Sequence, residues 1–351
     1  MRIRSLYTFL ILTGVASLLS AETPDAGVLC VETEDAIEVT IDGRPLFTYN
    51  KATLESPEGI DPVYRRGGHI HPVYTPQGRI VSGDFPVDHP HQHAIFHAWR
   101  KVESQGRRLS FWDQAAKTGR VSHAKVLSVT NKPQHGQFVV AHLLEDMIDP
   151  DQPQPVLTEI WTVDIYDRDD ETYVFDLRVE HKCAGALPVT VSQYHYGGMA
   201  FRGTADWFDD GANAAYQAWQ KELQTDPDAP APSMEVMRHK FLTSEGDSQF
   251  KGNHSRPKWV DLYGPIDQQL AGVAILGHPE NFRAPQHVRL HPSKPYFCFS
   301  PMVESAFEIT PEKPFSSRYR FVIHDGPPQP DALDAEWKRF AASKSTVGNL
   351  P

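Results

Sequence analysis

The chain has 351 residues, which is enough for one large domain or two ordinary ones, and its formal net charge is −11 at pH 7. No basic run is available to neutralise phosphates, and this argues against nucleic-acid binding. The three cysteines, Cys30, Cys183 and Cys298, show no paired spacing. A zinc–thiolate site is therefore not supported, and a chain of this length does not depend on disulfides.

The first 21 residues have the order of a secretory signal peptide. Arg2 and Arg4 precede an apolar run from Leu6 to Leu19, and Ala21 offers a small residue for cleavage. The run is shorter than the roughly 20 apolar residues of a membrane-spanning helix. We therefore predict an exported protein, periplasmic or extracellular, without membrane contact after cleavage. Leu19 fits the cleavage site poorly, which leaves an uncleaved anchor as the alternative.

Strand signals follow one another along the rest of the chain. In residues 158–167, Trp161, Val163 and Ile165 alternate with polar side chains, and residues 172–182 repeat this pattern after a short polar turn. The other predicted strands are residues 137–145, 188–196, 270–277, 294–301 and 316–324. Short polar turns between strands favour antiparallel sheets over β-α-β units.

Two helices are predicted. Residues 212–224 form the first, and a Pro-rich surface loop follows it. Residues 330–342 form the second, with Asp331 as the N-cap and with Leu333 and Phe340 on one apolar face. No internal repeat or interdomain linker is present. The sequence therefore predicts an all-β fold, a large antiparallel β-sandwich with one or two peripheral helices.

Four long motifs occur in order: HPVYTPQGRIVSGDFPVDHPHQHAIFHAW (71–99), YHYGGMAFRG (194–203), FLTSEGDSQFKGNHSRPKWVDLYG (241–264) and GHPENFRAPQHVRLHPSKPYFCFSP (277–301). Together they resemble the PmoA-like family, secreted domains of uncharacterised activity that are often called methane oxygenase PmoA. The resemblance implies a fold similar to galactose mutarotases and other sugar-active proteins, a mutarotase-like supersandwich. It also divides the chain into a signal peptide (1–21), an N-terminal segment (22–34) and a single PmoA-like domain (35–345).

The family resemblance has one departure. The family stretch runs D-H-P-H-H-R-G; His89 and His91 match it, whereas Gln92, His93 and Ala94 replace the last three residues. Any family role of the replaced His–Arg pair is in doubt for this chain. The methane oxygenase label itself says little about chemistry, because the membrane subunit of that name spans the bilayer and this mature chain has no spanning segment.

The stretch DHPHQHAIFHAW (88–99) carries four histidines at odd positions, which would share one face of an extended strand. One hypothesis is a divalent metal site with His89 and His91 as ligands and His71 as a third. His69 and His195 are further candidates for that third position. Pro90 and the lack of a diagnostic ligand spacing argue against a metal. Without a metal, His89 is predicted to contact substrate.

The second hypothesis is acid–base chemistry. Histidine gains and loses a proton near neutral pH, so His91 and His195 are the predicted catalytic histidines. Glu304 follows an apolar strand and is the predicted carboxylate base, although Glu308 and Asp88 compete for that role. The glycines at 197 and 198 allow a turn that presents His195.

Three further residues are predicted to bind substrate. Asp88 could orient a histidine, Arg202 could hold substrate oxygens in a bidentate manner, and Trp99 could stack on a sugar. Each has a structural alternative: an Asx turn for Asp88, a buried ion pair with Asp206 or Asp209 for Arg202, and the core for Trp99.

The preferred prediction is an exported carbohydrate-active protein that uses acid–base chemistry on a sugar or sugar acid, as an epimerase, lyase or hydrolase does. It requires no cofactor, and its partner is a small molecule or glycan. One alternative is a non-catalytic glycan-binding module. The other is a metal-dependent oxidase or hydrolase, in line with the family label. The sequence does not indicate an oligomeric state.

Overall fold

The computed structural model describes residues 27–166, 171–233, 235 and 237–343. The predicted signal peptide and most of the turn after residue 166 lie outside these residues. The strands are β1 (Val28–Glu32), β2 (Ala36–Ile41), β3 (Arg44–Asn50), β4 (His69–Val73), β5 (Ile95–Ala98), β6 (Val102–Ser104), β7 (Arg107–Leu109), β8 (Gly119–Lys132), β9 (His135–Asp146), β10 (Gln154–Tyr166), β11 (Thr172–Cys183), β12 (Val189–Val191), β13 (Gly198–Arg202), β14 (Lys240–Thr243), β15 (Trp259–Ile266), β16 (Gln269–Gly277), β17 (Val288–Leu290), β18 (Tyr296–Phe299), β19 (Phe307–Ile309) and β20 (Phe315–Asp325).

The described strands form three antiparallel sheets. The first has the order β1-β2-β3-β4-β5-β13-β18-β17, and the second has the order β14-β15-β16-β20-β11-β10-β9-β8. A smaller third sheet has the order β19-β12-β6-β7. The predicted antiparallel pair is β10 with β11, in which Trp161 lies opposite Val179 and both side chains are buried. The prediction of an all-β antiparallel sandwich is confirmed.

The first sheet is buried on both faces near its centre. On β13, Phe201 points into the core between the two large sheets, whereas Ala200 points into a second core beside the third sheet. Phe297 and Cys298 on β18 divide in the same way. Because side chains alternate along a strand, the next residues on the second face are polar ones at the edge of that second core, and there they form the candidate site.

The helices lie at the periphery. They are α1 (Asp210–Glu222), α2 (Gln249–Gly252) and α3 (Pro330–Ala342). The bounds of α3 agree with the prediction, but its N-cap is Gln329 and Asp331 lies in the first turn. Helix α1 begins two residues before the predicted start, because Asp209 caps it by accepting a hydrogen bond from the Ala212 amide. No helix within the described ranges is long and apolar enough to cross a membrane.

Candidate functional site

The histidine-rich stretch is not one strand, and its four histidines do not share a face. Only residues 95–98 form β5, while residues 86–92 turn back through hydrogen bonds from His89 N to Pro86 O and from Gln92 N to His89 O. Ala94 has a φ of 47°, a conformation that breaks the alternation of an extended chain. The stretch therefore distributes its histidines among three separate groups. One lies at the tip of the loop 84–93, one lies at its base, and one lies inside β5.

The tip of the loop is held by a buried ion pair. Arg202, at the end of β13, donates to Asp88 with Nη2–Oδ1 at 2.8 Å and Nη1–Oδ2 at 3.2 Å. Lys294 Nζ lies 3.1 Å from the same carboxylate, and His89 Nδ1 lies 3.0 Å from both Asp88 Oδ2 and Lys294 Nζ. Arg202 also donates to Gln92 Oε1 at 2.9 Å. Asp88, His89 and Arg202, predicted separately, thus come together, and the partner of Arg202 is Asp88.

Two neutral histidines flank this ion pair. The His89 ring lies 5.4 Å from that of His91 and 6.1 Å from that of His291. Burial lowers the pKa of His91 to about 4, although Asp113 acts in the opposite direction. Burial also holds the pKa of His291 well below its ordinary value, and the charge of Arg289 adds to this. Both imidazoles are therefore uncharged at neutral pH.

His195 lies at the rim near the same charges. Its side chain is exposed, and its pKa is lowered by partial burial and by the charges of Arg289, His254, Lys101 and Arg100. Gly197 and Gly198, with φ of 139° and 90°, form the turn that was predicted to present this histidine. The charge of Arg100 lowers the pKa of both His91 and His195, the two predicted catalytic histidines.

We call this region the histidine–arginine site. Its members are His91, His195, His291, Arg100 and Arg289. Arg289 lies on β17 directly opposite Cys298, on the face of the first sheet that carries the second core. The Tyr196 hydroxyl accepts a hydrogen bond from Arg100 Nε at 3.3 Å, and burial raises its pKa to about 12.

The structure does not place Glu304 beside His91. Glu304 is exposed and pairs with Arg256 across 3.7 Å. The carboxylates whose charges act on His91 are Asp113 and Asp88. Asp113 follows Trp112 and caps a short 3-10 turn through the Ala115 amide. Sequence reasoning missed it because the fold, and not the spacing along the chain, brings it to the site.

Trp99 does not reach the site surface. Its side chain is buried in the second core, and its indole Nε1 donates to His181 Nδ1 at 2.7 Å. It therefore takes the structural alternative and belongs to the core. Its partner leads to a second polar group.

That second group is a row of side chains across the second sheet. His123 on β8, His142 on β9, Glu159 on β10 and His181 on β11 lie directly opposite one another. Glu159 Oε2 lies 2.6 Å from His142 Nδ1 and Oε1 lies 2.7 Å from His181 Nε2. The Tyr49 hydroxyl bridges His142 Nε2 and His123 Nδ1 at 2.6 and 2.7 Å. We call these five residues the Glu159 row.

Two members of the Glu159 row can be recognised in the sequence by their position in the strand alternation. Glu159 is in phase with Trp161, Val163 and Ile165, so it occupies a core-facing position of β10. His181 is likewise in phase with the apolar residues of β11. A carboxylate on an apolar face requires a partner, and the residues directly opposite on the neighbouring strands supply it.

Two described groups bring metal-binding atoms together, and neither is the predicted set. In one, ligand atoms of His69, Asp84 and His93 lie within 4.8 Å of one another; the other consists of His97, Glu159 and His181. His71, predicted as a third ligand, lies instead beside Ser82, with Nδ1–Oγ at 2.9 Å. His89 and His91 surround the Asp88 ion pair. The alternative ligand set His71, His89 and His91 is therefore not assembled.

Two grooves lie away from the histidine–arginine site. One of 1020 Å³ lies beside β20 and α3, and its lining includes His324, Asp325 and Leu333. Another of 780 Å³ is lined in part by Arg66 and Gln114. Neither lining includes a member of the histidine–arginine site. The histidine–arginine site is instead distinguished by its charged and titratable groups, a combination that can support chemistry.

Two solved structures show a distant similarity to this fold. A heparan sulfate lyase HepC mutant from Pedobacter heparinus has 7% sequence identity and a TM-score of 0.37, over 87% of this chain and 38% of the lyase chain. A GalM/aldose epimerase homologue from C. elegans has 9% identity and a TM-score of 0.31, over 85% of this chain and 99% of the homologue. This chain thus spans well under half of the lyase.

A family model matches most of the chain. No curated protein matches it. Residues 36–338 match DUF6807, described as a family of unknown function. The matched range begins at the first residue of β2 and ends within α3, so it includes the histidine–arginine site and the Glu159 row. The chain therefore belongs to the family DUF6807.

Proposed function

We propose that this protein catalyses proton transfer on a sugar acid at the histidine–arginine site, in the manner of an epimerase or a lyase. The observation that carries this proposal is that Arg289 lies opposite Cys298 on the face of the first sheet that carries the second core, where its charge acts on His291 and His195. Within the described residues, no carboxylate lies within ion-pair distance of Arg289, whereas Arg202 and Lys294 are both paired with Asp88. Arg100 lies 3.8 Å from Asp113, whereas Arg289 only donates to the Leu290 carbonyl at 3.3 Å, so Arg289 is a cation of this region that is available to a ligand.

The charge of the site favours an anionic ligand. The chain as a whole has a net charge of −11, yet burial and then the positive charges of Arg289, Lys294 and Arg202 lower the pKa of His291. A guanidinium is planar and binds a carboxylate through two parallel hydrogen bonds. We therefore infer that Arg289 binds the carboxylate of a sugar acid.

A neutralised carboxylate makes the neighbouring carbon acidic. Removal of its proton produces a carbanion whose charge spreads onto the carboxylate, and a fixed guanidinium stabilises that charge. An uncharged imidazole can accept the proton, and His91 is uncharged at neutral pH because burial lowers its pKa to about 4. The Tyr196 hydroxyl, whose pKa is raised to about 12, remains protonated and can donate.

The same residues support two outcomes. If Tyr196 returns a proton to the opposite face of the carbon, the centre is inverted. If it protonates a leaving oxygen on the next carbon, the C–O bond breaks and a C=C bond forms. Asp113 replaces Glu304 in this scheme as the carboxylate near His91, and the Asp88–Arg202 pair positions the loop that carries His91.

A panel of uronate-containing and neutral oligosaccharides tests the proposal. We expect conversion of the acidic members only. The conversion is measured by the ultraviolet absorbance of the new C=C bond or by the uptake of deuterium from D2O next to the carboxylate. Arg289→Ala should lower kcat/KM on the order of 10²–10³-fold. His91→Gln should lower kcat on the order of 10²–10⁴-fold.

The matched control is His135→Gln. His135 pairs with Asp164 on the second sheet and lies outside the site, so its variant should retain turnover. Binding of uronates without conversion or deuterium uptake would instead indicate a glycan-binding module. Faster conversion of neutral sugars, or an Arg289→Ala variant with unchanged kcat/KM, would contradict the proposal.

A further inference from the structure

We propose that His69, Asp84 and His93 form a binding site for one divalent transition-metal ion at the base of the loop 84–93. His69 lies on β4, and Asp84 and His93 pair as an isolated β-bridge that closes the loop. His69 Nε2 lies 3.1 Å from Asp84 Oδ2, and His93 Nδ1 lies 2.8 Å from Asp84 Oδ1. Ligands 2.0–2.1 Å from a tetrahedral zinc ion are about 3.3 Å apart. Both His–Asp contacts are near this separation, and all the ligand atoms of the group lie within 4.8 Å of one another.

The charge of Asp84 supports a cation at this position. Its side chain is 7% exposed, and its only described ion-pair partners are the two histidines. No guanidinium or ammonium group lies within ion-pair distance of Asp84 among the described residues, and the charge of the buried Arg66 acts on both Glu159 and Asp84. A buried carboxylate is stabilised by a cation in direct contact. A divalent ion would supply positive charge at the Asp84 carboxylate itself.

The positions of the hydrogen atoms distinguish the group of His69, Asp84 and His93 from the group of His97, Glu159 and His181. The Trp99 indole can only donate, so His181 Nδ1 must accept and His181 Nε2 carries the hydrogen that faces Glu159. His181 therefore has no lone pair to offer a metal on that side. Glu159 also has the charge of Arg66. The group His97, Glu159 and His181 is accordingly not proposed as a metal site.

His69 and His93 are not restricted in this way. His93 Nε2 faces the Gln114 amide at 2.9 Å, and an amide can either donate or accept after a half-turn about its last bond. His69 Nδ1 is buried and has no hydrogen-bond partner among the described residues. Each ring can therefore adopt the tautomer with a lone pair toward Asp84, and in His69 this tautomer carries its hydrogen on Nδ1, which has no acceptor among the described residues. The 780 Å³ groove is lined in part by Gln114, the residue whose amide contacts His93.

Two imidazoles and one carboxylate form a donor set that suits zinc, iron, nickel or copper more than calcium or magnesium. A bound ion would join β4 to the base of the loop whose tip carries His89 and His91. The site is separate from the histidine–arginine site, so the proposal does not depend on the proposed function. Its role is to hold the loop in place.

Metal binding is tested on the full chain, purified without a metal-binding tag and stripped with a chelator. Dialysis against Zn²⁺ should return about one equivalent per chain and raise Tm. Co²⁺ should give the d–d absorption bands of a site with nitrogen and oxygen ligands. Asp84→Asn and His93→Gln should each lose the equivalent and the bands. His71→Gln is the matched control on the same strand and should retain both.

Each possible result of these metal-binding experiments either supports or overturns the proposal. Wild-type protein that binds no metal, with no Co²⁺ bands and a Tm unchanged by chelator, overturns the proposal even if the Asp84 variant does not fold. Loss of the metal in a His89→Gln/His91→Gln double variant, with retention in Asp84→Asn, also overturns it and assigns the ion to the loop tip. Retention in the double variant supports the proposal.

Discussion

At the residue scale, the Asp88 carboxylate organises the tip of the loop 84–93. Burial raises the pKa of Asp88, but the hydrogen bond with His89 and the charge of Arg202 outweigh this and hold the pKa far below its ordinary value. Arg202 is 1% exposed, and Asp88 is its only described ion-pair partner. The pair therefore belongs to the class in which the loss of one member leaves a buried charge uncompensated.

We expect Asp88→Asn to lower the free energy of unfolding by about 3–5 kcal/mol, the cost of breaking a buried ion pair. Urea denaturation at pH 7 measures it. Because the folded pKa is depressed, the contribution of Asp88 is present above its unfolded pKa of about 3.9 and is lost as the pH falls toward the folded pKa. The difference between wild type and variant should therefore shrink below about pH 4. Asp164→Asn, in the partly exposed pair with His135, is the control and should cost about 1 kcal/mol or less. An equal loss in both variants would contradict the assignment.

At the scale of elements, the start of β13 depends on one glycine. Gly198 has a φ of 90°, and a Cβ there would lie 2.4 Å from Phe299 O on the neighbouring β18. Only glycine accommodates both the conformation and the close approach. This residue therefore fixes how the segment with His195 and Tyr196 enters the first sheet.

We expect Gly198→Ala to lower the free energy of unfolding by about 2 kcal/mol or more, because it adds a strained φ and a backbone clash. Thermal unfolding checks it. The matched control is Gly185→Ala, where a Cβ meets nothing within 4 Å, and its effect should stay within about 0.5 kcal/mol. A Gly198→Ala variant as stable as the Gly185 variant would show that β18 moves aside without cost.

The helices and strands were predictable from local sequence patterns, whereas the candidate site was predictable only in part. Helix α3 and the β10–β11 pair follow from periodicity within one segment. The division of the four odd-numbered histidines depends on a turn and on the positive φ of Ala94, which no alternation pattern encodes. Arg289 reaches the site through strand order and Asp113 through a 3-10 turn, so their places in the site depend on the tertiary fold.

At the scale of the whole molecule, acid sensitivity follows from histidines that are buried without charge. Burial lowers the pKa of His71, His91 and His239 to about 4 in each case. Between this value and the unfolded pKa of about 6.5, the unfolded chain binds protons that the folded chain does not. Stability should therefore fall as the pH drops through this window.

We expect a loss of about 1.4 kcal/mol per pH unit for each such histidine between about pH 6 and 4.5. Urea denaturation at a series of pH values measures the slope. His239→Gln should flatten the slope by one histidine, whereas Gly185→Ala, which removes no titratable group, should leave it unchanged. A stability that is constant across this window would contradict the assignment.

Export of the chain and its resemblance to the PmoA-like family remain predictions from the sequence.

The Glu159 row has a consequence for how the second sheet assembles. Four of its members meet because they occupy paired positions on β8, β9, β10 and β11, and Tyr49 reaches them from β3. A slip of β10 by one position would turn Glu159 to the opposite face and leave His142 and His181 buried without their acceptor. Apolar side chains on these long strands tolerate several alignments, but the carboxylate accepts one. Glu159 thus specifies the strand register, and misaligned sheets are less stable during folding because their buried polar groups lack partners.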